Sequence, residues 1–271
     1  MKFLGKYKIL KNNITVCDPD FILNEIKKRI EVQKNLLISP IASYTLILAT
    51  LEKKLEGTLN NFDYLLPDGL WVKKTIHFLY GVRGIERIRG SDLLLKVCNL
   101  VQKNRYKIFL YGTTDATLQR LKTTLKKLFP KINIVGVMPS RFRELSSRDK
   151  AELINHIEKL RVNILFVALG SPRQEFFAYD ILYGKPHFKR AIIVIPVGAA
   201  FDFISGVKPQ APEWIQNSGF EWLFRLICEP RRLWKRYLIY GPLFIFLVLF
   251  QKIGLLLNLP NGVVGEGERR R

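Results

Sequence analysis

The sequence is poor in cysteine, histidine and acidic residues, and these shortages exclude several kinds of protein. It contains three cysteines and three histidines in 271 residues. Cys17, Cys98 and Cys228 lie far apart with no Cys-x-x-Cys pair, so the sequence predicts neither a disulfide framework nor a zinc knuckle. The histidines are equally dispersed and lack the spacing of metal ligands, which argues against a histidine metal site.

Several well-known motifs and signals are also missing. Neither G-x-x-x-x-G-K-[ST] nor G-x-G-x-x-G occurs, which argues against a P-loop and against the standard dinucleotide fingerprint. Serine, histidine and aspartate form no nucleophile elbow. Residues 1–13 are basic but never open into an apolar core, so no signal peptide is predicted. Together with the isolated cysteines, this favours a reducing cytoplasm.

The shortage of acidic residues leaves a strong positive charge. Lysine and arginine number 44 against 23 aspartates and glutamates, a formal net charge of +21. Such a charge indicates polyanionic partners, and nucleic acid, acidic lipid and phosphorylated substrates all remain open on charge alone. At 48% hydrophobic residues the chain can bury a full core. Its length fits one large α/β domain with an appendage, or two small domains.

Apolar strand-like segments alternate with amphipathic helix-like segments along most of the chain. The predicted strands are 36–38, 62–67, 107–111, 132–137, 164–169 and 191–197. The predicted helices begin at Pro19 with Asp18 as cap, cover 45–55 and 69–79, begin again near Ser91, and cover 115–128, 147–160 and 173–183. This alternation predicts an α/β fold with a Rossmann-like, doubly wound, mainly parallel sheet. A composition shift at 209–212 divides it into a body (1–210) and a C-terminal helical, membrane-associating appendage (211–271).

Long apolar runs are confined to the appendage, at 219–260. Its first half carries an apolar stripe at helical spacing together with arginine, lysine and tryptophan, and 243–250 carries no charge. Basic residues and tryptophan beside an apolar block are typical of a segment that lies on an anionic bilayer. Gly241-Pro242 and Lys252 interrupt the run, so we rank interfacial binding first, a buried core helix second and a spanning helix third. Residues 265–271 are predicted to form a loose basic end.

Four loops follow predicted strands and would meet at one edge of the sheet. They are Leu66-Pro67-Asp68-Gly69, Gly112-Thr113-Thr114, 170–175 and 198–202. Ligands of open α/β sheets bind at the carboxyl ends of strands, and glycines before helix N-termini favour phosphate oxygens. Each loop alone reads as an ordinary turn. Four together in so basic a chain indicate a nucleotide or a nucleotide-sugar.

These loops, read with the appendage, resemble the WecG/TagA/CpsF family, glycosyltransferase family 26. The resemblance covers about 36–238 and depends on the order and spacing of its segments. The segments are Asp63-Tyr64-Leu65-Leu66-Pro67-Asp68-Gly69, Arg87-Ile88-Arg89-Gly90-Ser91-Asp92, Gly170-Ser171-Pro172-Arg173-Gln174-Glu175, 198–206, Ala211-Pro212-Glu213-Trp214, 219–226 and Glu229-Pro230-Arg231-Arg232. It implies transfer of a sugar, often of N-acetylmannosamine type, from a UDP-sugar to a polyprenyl-diphosphate-linked glycan at the cytoplasmic face of the membrane.

The resemblance also implies roles for individual residues. It makes Asp68 the general base, places Gln174 and Glu175 at the active site, and brings appendage arginines over the diphosphate. Ser39 would take the role of a threonine that many members carry, while the asparagine that follows in those members is absent, and Gln210 replaces an arginine. The full predicted set has Asp68, Gln174 and Ser39 as catalytic residues and Gly112, Gly170, Arg173, Glu175, Gly198, Asp202, Arg89, Arg225, Arg231 and Arg232 as substrate-binding residues.

Inversion without a metal or other cofactor is a further implication of the resemblance. Asp18-Pro19-Asp20 has the form of the D-x-D pair that holds a divalent ion in many glycosyltransferases, but helix capping explains it better. The residue chemistry agrees, because a strand-tip carboxylate can be the base, and arginines can stabilise the departing diphosphate.

The predicted function is therefore an inverting, metal-independent glycosyltransferase of surface polysaccharide or teichoic-acid-type synthesis, bound peripherally or monotopically to the membrane. Its predicted partners are a UDP-sugar, the lipid-linked acceptor and an anionic membrane surface, and no nucleic acid; the oligomeric state is not predicted. The alternatives are a Rossmann-type nucleotide-dependent oxidoreductase, against which the absent fingerprint counts, and a basic nucleic-acid-binding module. The aromatic residues concentrate in the apolar tail, which favours lipid over nucleic acid.

Overall fold

The computed structural model of the chain describes residues 2–257, and its centre is a six-stranded parallel β-sheet. The strands are β3 (Leu36–Ile41), β4 (Tyr64–Pro67), β5 (Lys107–Gly112), β6 (Asn133–Met138), β7 (Ile164–Ala168) and β8 (Ile193–Pro196). They lie in the order β4-β3-β8-β7-β5-β6, and every neighbouring pair is parallel. The predicted Rossmann-like, mainly parallel sheet is confirmed.

Helices cover both faces of this sheet. They are α1 (Pro19–Glu31), α2 (Ser43–Leu51), α3 (Lys53–Asn60), α4 (Leu70–Tyr80), α5 (Gly90–Asn104), α6 (Asp115–Leu128), α7 (Ser147–Lys159), α8 (Arg173–Tyr183) and α9 (Ala200–Ile204). Helices α1, α5, α6 and α9 bury their apolar residues in one core. Helices α2, α3, α4, α7 and α8 bury theirs in a second core on the opposite face. A sheet covered on both sides explains why its strands are apolar runs without alternation.

The N-terminal residues form an antiparallel hairpin that the sequence analysis did not predict. Strands β1 (Phe3–Ile9) and β2 (Asn12–Cys17) pair outside the main sheet and pack beside β4. Strand β1 buries only Ile9, whereas β2 is buried at nearly every position, with Ile14 and Val16 in the second core. Neither strand shows the clean alternation from which a strand is recognised.

One predicted helix is split in the structure. The expected helix at 45–55 is interrupted at Glu52, which has extended backbone (φ −119°, ψ 104°) between α2 and α3. Leu46 and Leu55 are both fully buried. Nine residues correspond to a rotation of about 180° in a continuous helix, which would put these side chains on opposite faces. The break at Glu52 lets both reach the core.

The appendage consists of short helices followed by one long helix. They are α10 (Glu213–Ser218), α11 (Glu221–Cys228), α12 (Pro230–Trp234), a π-helical turn (Lys235–Ile239) and α13 (Tyr240–Leu257). The expectation that Gly241-Pro242 breaks the run was wrong, because the chain stays helical from Pro230 to Leu255. The π-helical turn lies directly before Gly241-Pro242, where the hydrogen-bond ladder must adapt to the missing proline N–H.

The polar residues of α13 face the body instead of interrupting an outer apolar surface. Gln251 Oε1 accepts from Leu10 N at 2.8 Å, Gln251 Nε2 donates to Lys8 O at 2.8 Å, and Lys252 Nζ donates to Leu79 O at 3.0 Å. Phe244 and Val248 join the second core. Helix α13 therefore has one face in the core and an apolar face exposed, and Pro230–Leu255 is long and apolar enough to cross a membrane by length and composition alone.

Two predictions about the appendage stay predictions. One is the division into a body (1–210) and an appendage (211–271). Helix α13 of the appendage packs against α2 and α4 of the body. The other is the loose basic end at 265–271, which lies outside the described residues.

Candidate active site

A cavity of about 1170 Å³ lies at the carboxyl edge of the parallel sheet, where the sequence analysis placed the ligand. Loops that follow four strands line it, represented by Asp68 after β4, Thr113 after β5, Gly170 after β7 and Gly198 after β8. Side chains of the appendage line its other side. The cavity therefore lies between the body and the appendage, and neither part forms it alone.

Asp68 stands at the tip of β4, inside this cavity. Its backbone N–H donates to Ile41 O at 3.1 Å, which ties it to the neighbouring strand β3. Gly69 follows with φ +88°, a conformation that favours glycine, and turns the chain into α4. The side chain is thus held at the strand end by backbone geometry.

The surroundings of Asp68 raise the pKa of its carboxyl to about 6. Burial away from water is the main cause, and the nearby Glu221 carboxylate adds to it. The guanidinium groups of Arg225, Arg87 and Arg236 act in the opposite direction. A carboxylate with a pKa near 6 is ionised at neutral pH yet retains affinity for a proton, which suits a general base.

Basic side chains outnumber acidic ones on the cavity wall. Among the described residues that line it, eight are basic and three are acidic. The basic ones are Arg87, Arg89, Arg173, Lys208, Arg225, Arg232, Lys235 and Arg236. The acidic ones are Asp68, Asp202 and Glu221. Guanidinium forks match phosphate oxygens geometrically, so this wall can hold and stabilise a diphosphate.

Arg87 and Lys208 of the body connect to acidic residues of the appendage. Arg87 Nη1 lies 3.3 Å from Glu221 Oε2 and donates to Gln216 O at 3.3 Å. Lys208 Nζ lies 3.0 Å from Asp202 Oδ2 and 3.1 Å from Glu229 Oε2. These contacts fix the appendage over the cavity.

Glu229 also organises the first turn of α12. Its carboxylate accepts two hydrogen bonds from Arg232, at 2.7 Å each. Those bonds, followed by the one from Lys208, lower the pKa of Glu229 to about 2. Arg232 is thereby aimed at the cavity, whereas its neighbour Arg231, which is also exposed, is absent from the wall.

Two other arginines of the appendage rest on aromatic rings. The guanidinium of Arg225 lies 5.3 Å from the centre of the Phe203 ring, and that of Arg236 lies 4.8 Å from the centre of the Tyr44 ring. Arg236 belongs to the π-helical turn, and both arginines line the cavity. Arg225 Nε is buried and has no hydrogen-bond partner among the described residues. It is therefore a donor available to an anion.

Gln174 and Glu175 form a buried polar pair at the start of α8. Glu175 Oε1 accepts from Ser171 Oγ at 2.8 Å and from Gln174 Nε2 at 3.0 Å. Burial raises the pKa of the Glu175 carboxyl. Gln174 lines the cavity next to Gly198, whereas Glu175 is fully buried behind it. Glu175 therefore contacts Gln174 and not the cavity, and it fixes the orientation of the Gln174 amide.

Gly112 also lies behind the cavity wall. A Cβ atom built on it would be 2.2 Å from Ala168 O, on the neighbouring strand β7. Its φ of +126° also favours glycine. Gly112 is required by the close approach of two strand ends, and through it Thr113 and Thr114 reach the cavity.

The cavity brings together most of the predicted site residues. Those on its wall are Asp68, Arg89, Gly170, Arg173, Gln174, Gly198, Asp202, Arg225 and Arg232. Those that do not line it are Ser39, Gly112, Glu175 and Arg231. Ser39 is fully buried in β3, and its Oγ contacts Pro40 O at 3.3 Å. The catalytic role of Ser39 stays a prediction without support from this placement.

The sequence analysis missed Tyr44, Arg87, Lys208 and Arg236 as site residues. Arg87 belongs to the segment from which only Arg89 was selected, and their spacing gave no reason to prefer either. Arg236 lies four residues after Arg232, a spacing that puts two side chains on one helix face. Tyr44 and Lys208 carried no signal, because the folded chain alone brings them to the cavity.

Asp18 has the structural role that capping predicts. Asp18 Oδ1 accepts from Phe21 N at 2.8 Å, and Oδ2 accepts from Lys2 N at 2.6 Å. Within residues 2–257, no group of three or more histidine, cysteine, aspartate or glutamate side chains could hold a metal ion. Whether the reaction proceeds without a metal stays a prediction.

The fold and the cationic cavity fit an enzyme that acts on phosphorylated substrates, and the comparisons with known proteins show that it is a glycosyltransferase. The chain belongs to the glycosyl transferase WecG/TagA/CpsF family, whose sequence profile matches residues 7–257. This membership confirms the resemblance seen in the sequence. It favours the glycosyltransferase over the oxidoreductase and the nucleic-acid-binding module.

Two relatives have the name N-acetylglucosaminyldiphosphoundecaprenol N-acetyl-beta-D-mannosaminyltransferase. The protein of Bacillus spizizenii (strain ATCC 23059 / NRRL B-14472 / W23) is 30% identical over 183 residues, which cover 68% of this chain and 67% of the relative. That of Bacillus subtilis (strain 168) is 30% identical over 180 residues, or 66% of each chain. The similarity thus spans about two thirds of each relative's length.

Proposed function

We propose that this protein is an inverting glycosyltransferase that moves a sugar from a UDP-sugar to a polyprenyl-diphosphate-linked acceptor on the cytoplasmic face of the membrane. It would serve surface polysaccharide or teichoic-acid-type synthesis. The observation that carries the proposal is Asp68, a strand-tip carboxylate with a pKa near 6, in a cavity walled by arginines of both body and appendage.

The proposed reaction is a single displacement at the anomeric carbon. Asp68 takes the proton from the acceptor hydroxyl, and the oxygen of that hydroxyl forms a bond to the anomeric carbon. The bond between that carbon and the donor diphosphate breaks, and its electron pair leaves with the diphosphate. Arg225, Arg232 and Arg236 then stabilise the charge that develops on the leaving group. Attack opposite the leaving group inverts the anomeric configuration.

The relatives support the choice of substrates. Their names give an acceptor in which N-acetylglucosamine is joined through diphosphate to undecaprenol, and an N-acetylmannosamine unit as the transferred group. At 30% identity we propose the lipid-linked diphosphate as the acceptor class and UDP-N-acetylmannosamine as the first donor to test. The excess of cations on the cavity wall fits both diphosphates.

Membrane binding is proposed on the exposed apolar face of α13. Phe250 and Ile253 are each more than half exposed (58% and 52%), although they are large apolar side chains. Lys235 and Trp234 lie near the start of the same continuous helix. Apolar residues beside tryptophan and cations fit the interface of an anionic bilayer, so we propose peripheral or monotopic attachment.

The proposal is tested by transfer from a panel of UDP-sugars to N-acetylglucosaminyl-diphosphoundecaprenol in detergent, with and without excess EDTA. We expect one donor to give product at equal rates in both conditions, with inverted anomeric configuration. Asp68→Asn should abolish turnover, whereas Asp20→Asn, which changes an exposed carboxylate of α1, should leave it unchanged. Failure of every donor would contradict the proposed activity, and loss of turnover in EDTA would contradict metal independence.

A further inference from the structure

An exposed apolar stripe on α4 begins at the cavity. Trp71 and Phe78 are 42% and 44% exposed, and they lie seven residues apart. Seven residues are two helical turns, so both side chains lie on the same face of α4, about 10 Å apart along its axis. Lys74 lies between them, with its Nζ 5.7 Å from the centre of the Trp71 ring. Trp71 lines the cavity.

Helix α13 runs beside this stripe. At the far end, Lys252 Nζ donates to Leu79 O and lies 5.6 Å from the centre of the Phe78 ring. Seven residues earlier on α13, Ile245 lines the same cavity as Trp71. The two helices thus pack against each other, and each contributes a side chain to the cavity wall.

Exposed apolar side chains of both helices lie along this surface, Trp71 and Phe78 on α4 and Ile245 and Leu249 on α13. We name the surface between them the α4–α13 groove. All four are between 42% and 47% exposed. Its open end joins the cavity, and its far end is marked by Lys252. An apolar groove joined to a cationic cavity matches a molecule with a charged head and a hydrocarbon chain.

We propose that the α4–α13 groove holds the first isoprene units of the acceptor's prenyl chain and leads that chain from the active-site cavity to the bilayer. This inference rests on the proposed function. Its support is the continuity of groove and cavity, together with the diphosphoundecaprenol in the names of both relatives. The groove also lies beside the exposed face of α13, so a chain leaving it reaches lipid without crossing water.

The same helix offers matched controls. Ile245 and Lys252 are seven residues apart and lie on the flank of α13 that faces α4. Phe246 and Phe250 lie farther around the helix, do not line the cavity, and are 55% and 58% exposed. Their rings contact each other, with centroids 4.6 Å apart. They have the same chemistry as the groove residues but lie outside the groove.

The first test compares two acceptors in detergent, one with the undecaprenyl chain and one with a single isoprene unit. Phe78→Ser and Leu249→Ser should each raise KM for the long acceptor about tenfold, the effect of removing one partly buried apolar contact. KM for the short acceptor and for the donor should stay unchanged, as should all KM values in Phe246→Ser. The proposal would be overturned if KM changed equally for both acceptors or for neither. It would also be overturned if Phe246→Ser gave the same effect.

The second test does not need turnover, so it separates failure of the groove from failure of the proposed function. A photoreactive undecaprenyl diphosphate, with the reactive group in its second isoprene unit, is irradiated with the wild-type protein and mapped by mass spectrometry. We expect labels on 70–80 and 240–257, reduced by excess unlabelled undecaprenyl diphosphate. Competed labelling confined to other segments would overturn the proposal even if the enzyme proves active. Uniform labelling over the exposed face of α13 would also overturn the proposal, because it would show that the prenyl chain contacts this face without a defined groove.

Discussion

Replacing Asp68 by asparagine should remove activity and at the same time stabilise the fold. Burial raises the pKa of this carboxyl from 3.8 to about 6, so the folded protein disfavours its charged form. At neutral pH Asp68 is ionised in both the folded and the unfolded state, so its charge in the folded protein lowers the free energy of unfolding. Two pKa units correspond to about 3 kcal/mol, and water in the cavity reduces this, so we expect a gain of about 1–3 kcal/mol in Asp68→Asn.

The sign and the pH window follow from the two pKa values. Below pH 3.8 the carboxyl is protonated in both states, and wild type and variant should have similar stability. Between pH 3.8 and about 6 the unfolded chain loses this proton first, so wild type becomes progressively less stable than the variant. Above pH 6 the difference should be constant. Thermal unfolding in detergent measures this difference in stability, because each kcal/mol shifts the melting temperature by about 2–4 °C for a chain of this size.

Glu229→Gln supplies a control of opposite sign. Hydrogen bonds from Arg232 and Lys208 lower the pKa of Glu229 from 4.5 to about 2. Its charged form therefore stabilises the fold above pH 4.5, and that contribution is lost as pH falls towards 2. The variant should be less stable than wild type at pH 7.5. A destabilised Asp68→Asn at pH 7.5, or a gain that does not change with pH, would refute the raised pKa of Asp68.

Three further variant sets test the cavity, the sheet edge and the membrane face. Arg232→Gln should lower kcat/KM by about 10–100-fold through loss of a charged contact to diphosphate, whereas Arg231→Gln, on the same helix but outside the wall, should stay within about threefold; equal losses would count against the cavity. Gly112→Ala should destabilise the fold by about 3 kcal/mol or more, since its Cβ would be 2.2 Å from Ala168 O, while Gly170→Ala, with φ +74° and nothing within 4 Å of its Cβ, should cost about 1 kcal/mol. Similar melting temperatures for these two variants would be inconsistent with that close approach. Phe250→Ser/Ile253→Ser should lower co-sedimentation with anionic liposomes about tenfold, and Leu128→Ser, equally exposed on α6, should not; unaltered binding of the double variant would remove α13 as the membrane contact.

The parallel sheet could be predicted because its signals are local. Each central strand is an apolar run, and each following loop begins with a residue such as Gly112 or Asp68 that ends a strand. The carboxyl edge of the sheet then follows from topology, so the location of the cavity was predictable as well. The starts of the helices at Pro19 and Asp115 were predicted correctly, because the N-cap side chains of Asp18 and Thr114 fix the residue at which each helix begins.

The errors occurred where tertiary contacts override local pattern. Gly241-Pro242 was predicted to interrupt the apolar run, but packing of α13 on the body and the preceding π-helical turn keep the chain helical. Lys252 seemed to interrupt an apolar run, yet it bonds to Leu79 O on a face that the sequence does not distinguish. The hairpin of β1 and β2 was missed because its burial depends on neighbours in α3, α4 and β4.

The site residues divide in the same way, into those with a local signal in the sequence and those that tertiary contacts place. Asp68 was selected because it follows a strand, and a strand end is visible in sequence. Glu175 was predicted to bind substrate, but the structure places it behind Gln174, since the start of α8 points one side chain to the cavity and the next into the core. Arg236 was overlooked although its spacing from Arg232 is helical, because nothing in the sequence shows which face of the appendage meets the cavity.

The pH dependence of kcat/KM for transfer to the lipid-linked acceptor tests the central claim most directly. If Asp68 is the general base, only its ionised form is active, and its pKa is about 6. The account predicts constant kcat/KM from about pH 7 upward and a tenfold loss per unit well below pH 6. A profile that stays constant down to pH 4.5 would contradict Asp68 as the base, and with it the reaction proposed for this cavity.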